Sequence, residues 1–336
     1  MPNAEDKILE VNNLKKYFTI KKGLFGQKSE QLKAVDDISF FVNRGETLGI
    51  VGESGCGKST TGNAIMRLLT PTSGEIFFDG EDFSKLSSKA LREKRKDMQM
   101  IFQDPFSSLN PRMKVFDIIA EPLRTHHSYS AKQLKSEVLD LMEKVGLSEA
   151  QAYRFPHEFS GGQRQRIGIA RAIALKPKII VCDEPVSALD VSIQAQILNL
   201  LKKLQKDMDL TFVFIAHGLP AVKHFSDRVA VMYLGKIVEM TTKKQLFDQP
   251  MHPYTIGLLE AVPIADPTRR KKHERPEIKG ISQVQSTFQL VADSILAVLW
   301  PRRNVKSRFQ NLKKKKLGIM SLVTFPSETK TRRLII

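Results

Sequence analysis

Residues 52–59 read Gly-Glu-Ser-Gly-Cys-Gly-Lys-Ser, with the apolar run TLGIV directly before them and a helical pattern through Met66 and Leu69 directly after. A G-x-x-x-x-G-K-[ST] loop between strand and helix commits the chain to an α/β sheet that binds its ligand at the strands' carboxyl edge. The glycines let backbone N–H groups turn inward around phosphate oxygens, where a side chain would block the approach. Lys58 is expected to reach the β- and γ-phosphates of a nucleotide, and Ser59 to offer its hydroxyl to Mg²⁺. The plainer alternative is an ordinary glycine-rich turn, and the strand and helix on either side count against it. Cys56, inside the loop, reads as a small packing residue.

Two further segments complete a site of this kind. KIIVCDE, residues 178–184, ends an apolar strand in an acidic pair, 131 positions after Gly52. Asp183 at the strand end is expected to hold a metal through water, and Glu184 to polarise an attacking water. FSGGQRQR, residues 159–166, opens the helix GIARAIAL, so that Ser160, Gly161 and Gly162 stand at a helix N-terminus able to take an anion. Taken singly, the acidic pair also reads as a capped loop and SGGQ as a plain N-cap.

The rest of the chain supplies the frame. ILEV and AVDDISFFV are strand-like runs, separated by the basic stretch KKGLFGQKSE, which reads as a loop. Residues 114–156 turn helical, with Ile118, Ile119, Leu134, Val138, Leu141, Met142 and Val145 at three- and four-residue spacings. Strand and helix then alternate through KIIVC, IQAQILNLLKKLQ, LTFVFIAH and RVAVMY, which implies parallel strands with crossover helices.

GESGCGKS, FSGGQ, IIVCDEP, SALD at residues 187–190, Gln103 after a strand and His217 after LTFVFIA occur in the order and spacing of ABC-transporter nucleotide-binding subunits. The chain resembles most the ATP-binding component of the oligopeptide/dipeptide permease branch, through QDPFSSLNPRMKV at residues 103–115 and HPYTIGLLEAVP at residues 252–263. The resemblance covers about residues 7–280. It implies an α/β P-loop NTPase core with a mostly parallel sheet, an N-terminal antiparallel β subdomain and a helical signature subdomain at about residues 104–165. A branch-specific C-terminal part would occupy about residues 246–280.

The resemblance also implies roles. Gly52, Glu53, Ser54, Gly55, Cys56, Gly57, Lys58, Ser59 and Thr60 would hold ATP, with Tyr17 stacked on the adenine; a tyrosine beside a strand is otherwise simple packing. Ser59, Gln103 and Asp183 would serve Mg²⁺, and Glu184, His217 and Gln103 the hydrolysis. Ser160, Gly161, Gly162, Gln163 and Asp190 would meet the nucleotide of a second ATP-binding subunit, sister chain or identical, in a head-to-tail dimer. Two transmembrane permease subunits, and indirectly an extracytoplasmic peptide-binding protein, complete the implied importer. Nickel or another small solute is the alternative cargo within the branch, and a non-transport ABC ATPase is the alternative class. A single cassette, with 108 positions between Gly52 and Ser160, has no room for a long coiled coil.

Three residues depart from the pattern: Gly218 stands where an Asp commonly follows the histidine, Phe159 replaces a Leu, and Thr61 replaces an apolar residue. A larger departure begins after Gly280. The branch continues roughly as KGDIPSPIN and later GCRFHTRCP, whereas this chain reads ISQVQSTFQLVADSILAVLWP without cysteine. Regrouping the codons after Gly280 by one base admits Asp-Ile-Pro-Ser-Pro-Ile-Asn, and residues 289–301 then admit Gly-Cys-Arg-Phe-His-Thr-Arg-Cys-Pro. The expectation is a base lost at the Gly280 codon, leaving residues 281–336 out of frame and disordered; a divergent solvated tail is the alternative.

Composition now matters in two ways. At 336 residues, 41% hydrophobic and 26% charged, the chain is a folded globular protein, and two cysteines exclude a disulfide scaffold. Its net charge of +17 would suggest nucleic acid, yet residues 281–336 hold 11 Lys or Arg against 2 Asp or Glu, more than half of the excess. Without aromatic interleaving or a recognised module, no nucleic-acid partner is expected. The polar, acidic start MPNAEDKILE lacks a secretion signal, and the apolar stretch at residues 290–300 is too short to span a bilayer. The expected location is peripheral, on the cytoplasmic face of the cell membrane.

Overall fold

The computed structural model describes residues 6–22 and 28–261, which lie within the compact unit Met1–Lys279. The first strands, β1 (Lys7–Lys22) and β2 (Lys28–Asn43), pair antiparallel from Lys7 opposite Asn43 to Lys22 opposite Lys28. The basic stretch read as a loop thus gives both its ends to strands, because the ladder satisfies backbone groups whatever the side chains carry. Next come β3 (Thr47–Val51) and α1 (Lys58–Ile65), then β4 (Ser73–Phe78) and β5 (Glu81–Asp82). The last two return to the first pair and complete an antiparallel sheet of order β2-β1-β4-β5.

A Ser87-capped helix, α2 (Ser88–Lys94), leads into β6 (Met98–Ile101). Four helices follow: α3 (Pro105–Ser108), α4 (Val115–His126), α5 (Ala131–Lys144) and α6 (Gly161–Ile173). Their apolar spacing brings Ile118, Ile119 and Leu123 of α4 and Leu134, Val138 and Leu141 of α5 into one core. Ser130 and Ser160 start α5 and α6, each accepting an N–H three residues on while Gln133 and Gln163 reach back.

The chain then alternates through β7 (Ile179–Asp183), α7 (Val191–Met208), β8 (Thr211–Ala216), α8 (Leu219–Phe225) and β9 (Arg228–Tyr233). It turns back as β10 (Lys236–Thr242), followed by α9 (Lys243–Asp248) and α10 (Pro253–Glu260). The second sheet has the order β10-β9-β3-β8-β7-β6, parallel at every pairing except β10 with β9. This is the α/β class expected from the sequence.

Every residue of β3, β7 and β8 is buried. Successive residues alternate between two cores: Ile180, Cys182, Phe212 and Phe214 join the helical side, while Ile179, Val181, Val213 and Ile215 join Ala64 and Ile65 of α1 and the antiparallel sheet. The register sets Val51 beside Ala216, Asp183 beside Ile215 and Ile101 beside Cys182. Residues 52, 103, 183–184 and 217 therefore emerge along one carboxyl edge.

Candidate active site

The loop that leaves β3 is clamped from two sides. Gly57 caps α1 with a left-handed backbone (φ +108), and a Cβ there would lie 2.1 Å from the Ala34 carbonyl oxygen; at Gly52 it would lie 2.1 Å from that of Met232. Ser54 and Gly55 are exposed and Glu53, Ser59 and Thr60 half-buried, while Cys56 and Lys58 are buried. Lys58 Nζ, in a residue only 4% exposed, donates to the Gly52 and Glu53 carbonyls at 2.8 Å each and forms no ion pair among the described residues. With two neutral carbonyls and the Cys56 Sγ at 3.9 Å as its partners, the ammonium keeps its charge available for an anion. Burial pushes the Cys56 thiol up, so it stays neutral, as a packing group should.

Beside the loop, Ser59 Oγ donates to Asp183 Oδ1 at 2.8 Å. Asp183 is 7% exposed, and burial pushes its carboxyl up to about 6, against the opposing pull of the Ser59 hydrogen bond. The next residue, Glu184, adopts a left-handed backbone (φ +46), held by its N–H on the Ile215 carbonyl at 2.9 Å. That conformation costs a non-glycine residue roughly 1 kcal/mol. Its carboxylate accepts from Gln103 Nε2 at 2.9 Å. His217 follows Ala216 at the end of β8 and is exposed.

These donors fit a hard cation, since a hydroxyl and a buried carboxylate stand at hydrogen-bond distance and, among the described residues, no ammonium or guanidinium bonds the carboxylate. Among the described residues no group of three or more His, Cys, Asp or Glu gathers at one point. A cation there would draw its remaining ligands from water and phosphate oxygens, the habit of Mg²⁺.

The other expected site residues stand apart. Tyr17 donates its hydroxyl to Asp36, which lies within 4 Å of the ammonium groups of Lys33 and Lys236, and Lys33 Nζ sits 5.4 Å from the Tyr17 ring centroid. Asp36 is linked to the loop through backbone, its N–H on Gly235 O at 2.8 Å and Gly235 N–H on Cys56 O at 2.9 Å. Ser160, Gly161, Gly162 and Gln163 begin α6, and exposed Asp190 begins α7. Among the described residues no hydrogen bond joins either group to the phosphate loop.

Of the departures, Thr61 is fully buried, and its hydroxyl donates to Gly57 O at 3.0 Å, so it carries no unsatisfied group. Phe159 is buried in the helical core. Gly218 caps α8 in extended conformation, and a Cβ there would meet only Pro220 Cδ, at 3.8 Å.

The family described as ABC transporter matches residues 35–187, and the oligopeptide/dipeptide transporter C-terminal region matches residues 238–287. The oligopeptide transport ATP-binding protein AppF of Bacillus subtilis is 55% identical over 277 residues, 82% of this chain and 84% of its own length. This chain belongs to the ATP-binding proteins of the ABC transporter family. Among other relatives of the ABC ATPase, OppF of Haemophilus influenzae is 56% identical over 281 residues, covering 83% of this chain and 85% of its own. The solved ATP-binding cassette MJ0796, a dimer in a post-hydrolysis state bound to ADP and Pi, superposes with a TM-score of 0.62 at 30% identity, covering 70% of this chain and 98% of that one.

Three contacts of the ABC ATPase have no counterpart in the sequence reading. Arg171 on α6 donates to Ser108 O at 2.7 Å, and the Arg164 guanidinium lies 5.2 Å from the Phe106 ring centroid. Both tie α6 to α3, the helix that follows Gln103. The third joins Tyr254 of α10 to the phosphate loop, where Glu53 N–H donates to its hydroxyl at 3.0 Å. HPYTIGLLEAVP marked the segment, yet nothing local indicates a bond to a residue 201 positions earlier.

Proposed function

We propose that this ABC ATPase binds ATP with Mg²⁺ at residues 52–60 and hydrolyses it to energise an importer of oligopeptides or dipeptides. The observation that carries this reading is the meeting of Ser59 with Asp183 beside the Glu184–Gln103 pair at the sheet's carboxyl edge. Relatives named oligopeptide transport ATP-binding proteins, at 55% and 56% identity, support the cargo class.

Lys58 and the loop amides neutralise and orient the phosphates. Ser59, Asp183 and Gln103 are the groups that would hold Mg²⁺, which supplies charge neutralisation at the phosphate oxygens. Glu184 accepts hydrogen bonding from the attacking water and turns its lone pair towards the γ-phosphorus, and His217 donates to the γ-phosphate. Cleavage of the β–γ bridge releases ADP and phosphate. Tyr17 receives the adenine once its ring is free of Lys33.

In this reading two cassettes meet head to tail, with Ser160–Gln163 and Asp190 of one against the nucleotide of the other. The dimeric neighbour and the exposure of Ser160 and Asp190 support it. ATP completes the interface and hydrolysis removes the γ-phosphate that closes it. Two permease subunits receive the motion at the cytoplasmic face, and a peptide-binding protein loads them from outside. Among the described residues no helix is long and apolar enough to cross a membrane, in keeping with a peripheral subunit. Residues 281–336 lie outside the described residues, and their out-of-frame origin after Gly280 stands as part of the proposal; the AppF alignment spans 277 of 336 residues.

The test is reconstitution with two permeases in proteoliposomes. A binding protein loaded with peptide should raise ATP turnover several-fold over the unloaded one. Turnover indifferent to every peptide and permease would remove the transport role.

A further inference from the structure

Among the described residues of the C-terminal region, one side chain hydrogen-bonds the phosphate loop. Tyr254, at the start of α10, is 7% exposed, and its ring lies 4.4 Å from that of Tyr233 at the end of β9. Its hydroxyl accepts the Glu53 N–H at 3.0 Å. The segment that carries it is anchored: Glu239 of β10 accepts the N–H groups of Met251 and His252 at 3.0 and 2.9 Å, and His252 Nδ1 accepts the Tyr254 N–H at 3.1 Å. Burial pushes the Tyr254 phenol up, which keeps the oxygen a neutral acceptor.

Glu53 is the second residue of the loop and, with Gly52, supplies a carbonyl that holds Lys58. The Gly52–Glu53 peptide plane is thus gripped on both sides, by Tyr254 at the Glu53 N–H and by Lys58 at the Gly52 carbonyl. A second hydrogen bond holding the loop from this direction is Gly235 N–H on Cys56 O at 2.9 Å. Both holds come from the β9–β10–α10 part of the chain. A loop fixed before its ligand arrives loses less freedom on binding, so affinity rises without a new ligand contact.

We propose that Tyr254 is a positioning residue for the phosphate loop, through which the C-terminal region sets the affinity for ATP. This deepens the assignment of residues 52–60 to nucleotide and rests on it. Glu239 and His252 are its supports, and Tyr254 touches no reacting atom.

The test uses the full-length chain and MgATP. Tyr254→Phe keeps the ring and removes only the acceptor, and should raise KM for ATP and the Kd of a fluorescent ATP analogue about three- to tenfold. Turnover at saturating ATP should stay within twofold and the melting temperature of the nucleotide-free protein should barely move. Glu239→Ala, which loosens the segment without touching the loop, should shift KM in the same direction. An unchanged KM in Tyr254→Phe, or a kcat loss that merely follows a lower melting temperature, overturns the proposal. Lys58→Ala in the same assay separates the two levels: if it abolishes binding while Tyr254→Phe binds normally, only the positioning role fails, and if it binds normally, the nucleotide assignment falls and takes the positioning role with it.

Discussion

Asp183 and Ser59 meet at 2.8 Å, and among the described residues the hydroxyl is the one hydrogen-bond donor to a carboxylate that burial pushes up to about 6. A raised folded-state value means that the group favours the folded protein at low pH and loses that contribution as pH rises through about 6. At pH 8 the nucleotide-free protein therefore carries a buried charge costing on the order of 3 kcal/mol. Asp183→Asn should raise its melting temperature at pH 8, the gain narrowing below pH 6 and closing near the ordinary carboxylate range, while Mg²⁺-dependent hydrolysis disappears. Thermal melts across pH 4–8 measure this; a destabilised Asn variant at pH 8 contradicts it.

Among the described residues Lys58 is a buried cation whose partners, two carbonyls and the Cys56 thiol, are all neutral. Lys58→Ala should weaken nucleotide binding by at least tenfold, as expected for a lost charge-assisted contact worth about 1.5–3 kcal/mol. Titration with a fluorescent ATP analogue reads the change, and an unaltered Kd is the opposing result.

Gln103 and Glu184 are joined at 2.9 Å, across the gap between β6 and β7. Gln103→Ala frees the Glu184 carboxylate from its amide partner and should lower kcat about tenfold or more while the Kd for ATP stays within threefold, the signature of an interaction used in the chemical step. Equal loss in both would assign Gln103 to ground-state binding.

At Gly218 the backbone is extended and has room for a side chain. Pro220 lacks an N–H, so an Asp at 218 would cap α8 through Ala221 N–H. Gly218→Asp should add a few tenths of a kcal/mol of stability, visible as a melting temperature raised by roughly 1–2 °C, with turnover maintained or increased. A lowered melting temperature would show that the position cannot take the carboxylate.

Resequencing across the Gly280 codon tests the origin of residues 281–336. One additional base is expected, restoring Asp-Ile-Pro-Ser-Pro-Ile-Asn directly after Gly280. Mass spectrometry of the native protein that recovers peptides of ISQVQSTFQLVADSILAVLWP in the present frame overturns it.

The loop between β3 and α1, the acidic end of β7 and the start of α6 were legible as elements because each is a contiguous string with its own turn, strand or cap chemistry. TLGIV and IIVCD were legible as strands because burial on both faces demands unbroken apolar sequence. The extent of β1 and β2 was not, since Lys21, Lys22 and Lys28 enter the ladder through backbone pairing that side-chain polarity does not report. The grip of Tyr254 on Glu53, and of Arg171 on Ser108, join residues far apart in sequence, and only the assembled sheet and helices bring them within reach. The left-handed Glu184 was equally hidden, because its conformation answers to the Ile215 carbonyl on the neighbouring strand.

The most direct measurement of the account is the behaviour of Glu184→Gln with MgATP, in which the carboxylate beside Gln103 becomes an amide of the same shape. The account predicts ATP affinity at or above that of the unaltered protein, turnover reduced by two or more orders of magnitude, and an ATP-dependent dimer in light scattering. Undiminished turnover, or a monomer whatever the nucleotide, would contradict it.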